Sequence, residues 1–473
     1  MSELTQLSLI AAADGIRQGQ FSSRELVEAT LGRIERLGPT LNCFIDVWAE
    51  RALAGADQAD ELSQAKAQTG PLHGVPLAHK DMFYRAGTVC TCGSKIRRDF
   101  VPNSTATVLE RLDAAGALHI GALNMSEFAF GPTGHNAHFG PARNPWNTDH
   151  ISGGSSSGSG VSVAARLVFA ALGSDTGGSV RLPAAASGIV GLKPTQTRVS
   201  RFGAMGLSFS LDNVGPLTRT VADSARMLGV IAGLDSRDGT SSAQPVPDYE
   251  AATRDPDIRG LKIGRPRNYY FDLVTPDVAA AMERALATFS ELGAEIVDIT
   301  VPDHDHIGLL QGLVSTSEAA TLHGAWLRER ARDYGPQVRA RIEPGLATTA
   351  THYLSALQAR PLVVERFVND VFSQCDMMFT PVFSMPQPRI DETDVGDSKG
   401  FHKVLAKITR CTAPINYLTF PGLSLPGELI DGLPTSFQLV GRPFAEPTLF
   451  RAGAAYEAAS EFSTRVPTAA ALD

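Results

Sequence analysis

Ser152-Gly153-Gly154-Ser155-Ser156-Ser157-Gly158-Ser159-Gly160 and Gly173-Ser174-Asp175-Thr176-Gly177-Gly178-Ser179-Val180-Arg181 are the two least ordinary stretches of this 473-residue chain. Between them, Ser159 to Arg166 reads as a helix of small residues and Leu167 to Leu172 as a short buried strand. A loop–helix–strand–loop order has enough chain to return the second loop to the first, so Ser155 and Ser179 can meet. Glycine clusters serve where backbone takes φ > 0 or approaches a ligand closely. Beside a serine they can also aim successive N–H groups at one point, as an oxyanion hole requires. A flexible Gly/Ser linker does not fit, because apolar sequence follows at once and Asp175 and Arg181 bracket the second loop. Neither loop ends in the Gly-Lys-Ser/Thr of a phosphate cradle. Gly154-Ser155-Ser156-Ser157-Gly158 matches G-x-S-x-G, but Pro145 to His150 before it reads as loop. Of the later histidines, His323, His352 and His402 sit in no distinguishing motif.

Working outward, Gly74-Val75-Pro76-Leu77-Ala78-His79-Lys80-Asp81 reads as a buried strand running into a loop. Lys80 would enter the interior from that strand end, where burial disfavours the charged ammonium and makes a base. A surface lysine beside Asp81 remains the alternative on these residues alone. Ser22-Ser23-Arg24-Glu25 is a capping box, with Ser22 as N-cap, opening a first helix. Ala52 to Ala67 follows as a second helix, Ala106 to Gly116 as another, and Leu118 to Ala122 as a strand. Past residue 260 the alternation resumes. Leu261 to Gly264, Ala294 to Val301, Met377 to Phe379 and Ser436 to Val440 read as strands. Pro276 to Leu292, Glu318 to Arg332 and Ala356 to Phe372 read as helices. This is the pattern of a sheet covered by helices in one large α/β domain. Asp235 to Pro247 and Asp391 to Lys399 are expected to be surface loops. His304-Asp305-His306 reads as a solvated turn after a strand and not as a metal site.

Hydrophobic residues make up 43% and charged residues 19%, as in a globular protein with a large core. A net charge of −8 without a basic run argues against nucleic acid as a direct ligand. No stretch reaches about 18 consecutive apolar residues, so no membrane span is expected. Met1 to Gly15 lacks the pattern of a signal peptide, which makes the cytoplasm the expected compartment. The five scattered cysteines read as reduced packing thiols.

From Gly74 to about Asp223 the chain resembles the amidase signature family. The blocks that carry the likeness are Gly74 to Asp81, Asn124-Met125-Ser126-Glu127-Phe128, Asn144-Pro145-Trp146, the two Gly/Ser loops, Gly188 to Thr195, Ser210 to Arg219 and the closing Gly432 to Pro443. The resemblance implies a single domain over 1–473 with a central mixed, twisted sheet covered by helices on both faces. It also implies a Lys–Ser–Ser triad that falls on Lys80, Ser155 (after a cis peptide bond) and Ser179. Ser179 would attack an amide carbonyl, Ser155 would relay the proton, and Lys80 would accept it. The backbone N–H groups of Thr176, Gly177, Gly178 and Ser179 would form the oxyanion hole. Ser156, Asp175 and Arg181 would support the loops. Ser157 and Gly158 depart from the family's usual two later glycines.

Substrate contacts are expected from Glu127 to Thr133, with Phe128, Phe130, Gly131 and Thr133 as candidates, and from Trp326 and Tyr417. Glu318 to Trp326 and Ile415 to Pro421 are expected to close the pocket. Ser317 to Leu327 looks more like stand-alone bacterial amidases than like the glutaminase component of the glutamine-dependent tRNA amidotransferase. The expected function is therefore hydrolysis of a carboxamide, urea, carbamate or aryl amide, with that glutaminase component as the alternative. The expected partners are a small-molecule amide substrate with no direct nucleic acid and no membrane, a homodimer being left open. No cofactor and no metal are expected.

Overall fold

The computed structural model describes residues 3–394, 396 and 400–471. Among them, eleven strands form one sheet. In chain order these are β1 (Phe44–Val47), β2 (Pro76–Lys80), β3 (Leu118–Leu123), β4 (Ala170–Asp175), β5 (Val190–Lys193) and β6 (Asn213–Thr218). Then come β7 (Lys262–Pro266), β8 (Glu295–Ile299), β9 (Met377–Pro381), β10 (Gly422–Ile430) and β11 (Leu433–Gly441). Across the sheet they run β1-β3-β2-β4-β6-β5-β10-β11-β9-β7-β8. The sheet is mixed: β2 lies parallel to both β3 and β4, whereas β6 is antiparallel to β4 and β5. At the other end β7 is parallel to β8 and β9.

Period-two alternation in β11 explains how one sheet is covered twice. Phe437 packs edge-on against Phe289 of the helix Pro276–Glu291 and Tyr456 of the helix Glu446–Ser460. Its neighbours point the other way. The Ser436 hydroxyl donates to the carbonyl of Ala185, and Gln438 accepts from Arg181, both in the helix Arg181–Ser187. The result is a single α/β domain with helices flanking its sheet. Strands buried on both faces read as continuous apolar runs, which is why β9, β10 and β11 are apolar nearly throughout.

The capping box at Ser22 and Glu25 forms, and the helix it opens spans Ser23–Leu41. Three local expectations shift. Leu167, Val168 and Phe169 lie before the strand, which begins at Ala170 because β4 takes its register from Ala78↔Ala171 and Ala170↔Thr218. The helix expected from Glu318 starts at His304 and runs to Arg330. His304-Asp305-His306 is thus its first turn and not a solvated loop. His304 is buried, with Nε2 2.8 Å from the Tyr270 hydroxyl and Nδ1 2.9 Å from the Pro302 carbonyl. Of the loop expected at 391–399, residues 395 and 397–399 lie outside the described residues. All five cysteines are free and buried.

Candidate active site

Lys80 is the last residue of β2, fully buried, and it reaches into the space between the two Gly/Ser loops. Its ammonium donates to Ser155 Oγ at 2.6 Å and to Ser174 Oγ at 2.9 Å. Burial lowers its pKa from 10.5 to about 7, against the opposing charges of Asp212 and Asp175. A lysine in this setting is substantially neutral near neutral pH and can take a proton.

Ser155 follows a cis peptide bond from Gly154. The Gly154 N–H donates to the Pro132 carbonyl (2.8 Å), and the Ser155 carbonyl accepts from Ser126 N–H (3.0 Å). A Cβ at Gly154 would run into the Gly131 carbonyl oxygen, so only glycine permits this approach. The neighbouring Ser156 ties the loops together. Its N–H donates to the Ser179 carbonyl (3.3 Å), and its hydroxyl donates to the Ser174 carbonyl (3.2 Å). The two loops are thereby brought side by side.

Asp175 and Arg181 hold the second loop from beneath. Both are buried, and Arg181 Nε and Nη2 donate to the two carboxylate oxygens at 3.0 and 2.9 Å. Asp175 also accepts from the N–H groups of Gly178 (2.8 Å) and Val180 (3.1 Å) and from Asn416 Nδ2 (2.9 Å). Facing Arg181 and these donors, its carboxyl is held well below the ordinary carboxylate range in spite of burial. The Gly178 N–H is therefore committed to Asp175, which corrects the expectation that it points at a substrate oxyanion. Gly178 sits at φ +130°, and a Cβ there would overlap the Thr412 hydroxyl.

Thr176, Gly177 and Ser179 border a cavity of about 860 Å³. Ala129, Phe130, Gly131 and Pro132 form one wall, as expected of that segment. Phe128, Thr133, Trp326 and Tyr417 are not on this wall. Phe128 is buried against Trp326, His323 and Tyr334, Thr133 is buried nearby, and Tyr417 donates its hydroxyl to the Ala356 carbonyl. Closure comes from neighbouring turns: Gly308 to Thr316 of the long helix in place of Glu318 to Trp326, and Leu405 to Pro414 in place of Ile415 to Pro421.

Two wall residues carry chemistry that sequence reasoning missed. Gln311 Nε2 donates to the Thr176 carbonyl (3.2 Å). Arg341 lies over the Phe130 ring, 4.1 Å from its centroid, and donates to the Phe130 carbonyl (3.0 Å). Among the described residues no carboxylate pairs with Arg341, and burial alone lowers its pKa to about 10. Nothing in Arg339-Ala340-Arg341 distinguishes the cavity-facing arginine from its neighbour.

The amidase family model matches residues 25–450. The chain belongs to the amidase family. It is 40% identical to the glutaminase-type component, named as the first-lettered subunit, of the glutamyl-tRNA(Gln) amidotransferase of Geobacter metallireducens, over 98% of this chain and 99% of that one. To the same subunit of Pelobacter propionicus it is 42% identical, over 98% of this chain and 100% of the relative. A solved structure described as a vestigial protein complex that reveals the origins of an s-triazine catabolic enzyme superposes with a TM-score of 0.90. That structure is 34% identical, with 96% of this chain and 98% of the other covered. These likenesses do not support the expected lean toward stand-alone amidases. They also overturn the expectation that a small-molecule amide and a homodimer complete the partner set, because the amidase relatives at 40% and 42% identity are named as subunits of a larger enzyme.

Proposed function

We propose that this amidase-family chain is the amide-hydrolysing subunit of an amidotransferase-type assembly, releasing ammonia from a carboxylate-bearing primary amide such as glutamine to a partner subunit. The observation that carries the hydrolytic part is the 2.6 Å hydrogen bond between Lys80 and Ser155 beside the cavity that Ser179 borders. The assembly part rests on the relatives named above.

In this reading Ser179 Oγ attacks the amide carbonyl carbon while its proton passes through Ser155 to neutral Lys80. The N–H groups of Thr176, Gly177 and Ser179 stabilise the oxyanion. Collapse breaks the C–N bond, Ser155 returns the proton to the leaving nitrogen, and ammonia departs. Water then attacks the Ser179 ester by the same relay and frees the acid. Arg341 gives the acyl portion its selectivity. A buried guanidinium without a carboxylate partner is a site for one, and the guanidinium fork matches a carboxylate.

The test is ammonia release from glutamine, from the monoamide of glutaric acid and from butanamide, by the chain alone and co-purified with its partner. Turnover of the two carboxylate-bearing amides that disappears in Ser179→Ala supports the reading. Equal ammonia release by Ser179→Ala, or turnover of butanamide alone, overturns it.

A further inference from the structure

Asp212 stands immediately before β6, whose first residue, Asn213, pairs with Asp175 at the end of β4. Its Oδ1 accepts from the Thr176 hydroxyl at 2.6 Å, and its Oδ2 accepts from the N–H groups of Leu207 (2.8 Å) and Ser208 (3.0 Å). All three donors are neutral. Among the described residues Asp212 makes no ion pair, whereas Asp175 is neutralised by Arg181. Asp212 also borders a separate cavity of about 270 Å³ together with Ser174, the second hydrogen-bond partner of Lys80. This carboxylate therefore lies between two parts of the site. On one side is Thr176, at the start of the oxyanion loop. On the other is the surrounding of the Lys80 ammonium, where Asp212 is one of two nearby carboxylates.

We propose that Asp212 is a positioning residue for amide hydrolysis: it anchors Thr176 through its hydroxyl, and its charge stabilises the ammonium that Lys80 becomes when the serine proton arrives. The proposal rests on the proton relay described above. Thr176 is held at three points that together fix the loop. Its hydroxyl is on Asp212, its carbonyl is on Gln311, and the carbonyl of the next residue, Gly177, accepts from the Thr412 hydroxyl at 2.7 Å. The charge matters because Lys80 has only hydroxyl partners and would otherwise receive its proton in a nearly apolar space.

The groups that act on Lys80 are Asp212, Asp175 and Cys92, with Asp81 adjacent in the chain. Burial raises the Asp212 carboxyl, while Thr176, Leu207, Ser208 and Arg201 oppose that rise. Arg237 and Asp238 share its cavity.

Asp212→Asn isolates the charge. The amide oxygen can still accept from Leu207 and Ser208, and its NH₂ can donate to Thr176 Oγ, since a hydroxyl accepts as readily as it donates. Thr176→Val isolates the anchor and leaves the charge. Ammonia release is measured against pH for wild type, both variants and Ser179→Ala. Wild-type turnover lost in Ser179→Ala first establishes the reaction itself.

With that in hand, Asp212→Asn should lower kcat at least tenfold with KM within about threefold, and move the acid limb of kcat/KM to lower pH. Thr176→Val should lower kcat and leave that limb in place. An Asp212→Asn enzyme with kcat within twofold of wild type and an unmoved limb overturns the proposal while leaving the amidase reading intact. Should Asp212→Asn not fold, Thr176→Val decides: kcat within twofold of wild type overturns the anchor.

Discussion

Lys80→Met separates the chemistry of the buried lysine from its cost. At pH 7 a lysine lowered from 10.5 to about 7 charges the folded state about 4 kcal/mol, at about 1.36 kcal/mol per pH unit. Methionine fills a similar volume without that cost. The Ser155 and Ser174 hydroxyls then each lose one partner, at about 1 kcal/mol apiece. The variant should therefore be more stable than wild type by about 2 kcal/mol, a Tm rise of roughly 2 °C in a chain of this size. Its ammonia release should fall about 10²- to 10⁴-fold, the usual weight of a positioned proton acceptor. In wild type, kcat/KM should fall tenfold per pH unit below about 7, as Lys80 becomes protonated and cannot accept. The stability slope has the same origin. Between about 7 and 10.5 the unfolded chain holds a proton on this lysine that the folded chain has released, so stability rises with pH across that window. Lys193, also lowered to about 7, adds a like slope. Lys80→Met should remove its own share only. Differential scanning calorimetry across pH 7 to 9, with an ammonia assay, reads all of this. A variant that unfolds several degrees earlier, or keeps activity within tenfold of wild type, refutes the reasoning.

Arg181→Met leaves the Asp175 carboxylate buried with only neutral donors, so it should destabilise the fold by about 3–5 kcal/mol, seen as a lower urea midpoint at pH 7. Gly178→Ala forces a side chain into the Thr412 hydroxyl from a φ of +130°; it should cost about 100-fold or more in turnover by displacing the loop, and retention within threefold would contradict that geometry. Arg341→Met should raise KM for the monoamide of glutaric acid about tenfold or more and leave its kcat within threefold, measured by steady-state ammonia release.

How much of this was legible depended on whether a residue's role is local. The strand that delivers Lys80 announces itself, because Val75 to Ala78 is apolar and Gly74 and Pro76 mark its start. The capping box at Ser22 is likewise a four-residue signal. Leu167 to Phe169, by contrast, is as apolar as any strand, yet the strand begins at Ala170, since register is set by partners at residues 78 and 218. Asp212 and Arg341 lie in the same category. Asp212 gains meaning only because β6 pairs with β4 and sets it against Thr176, and Arg341 only because Phe130 folds beneath it. Trp326 and Tyr417 misled in the opposite direction. Large aromatic side chains suit a pocket and a core equally, and here both serve packing.

The two buried lysines show what sequence and burial leave undecided. Lys80 and Lys193 both end strands of the same sheet, both are fully buried, and both are lowered to about 7 chiefly by desolvation. On those grounds either is a candidate base. Their partners separate them. Lys193 donates to the carbonyl of Pro194, an acceptor that has no proton to give. Lys80 faces Ser155 and Ser174, hydroxyls that can pass a proton to it and take one back. Desolvation makes a lysine basic at neutral pH, but only an exchangeable proton on its hydrogen-bond partner makes that basicity useful. The fold supplies the difference by ending β2 under two serine-bearing loops and β5 beside a proline carbonyl.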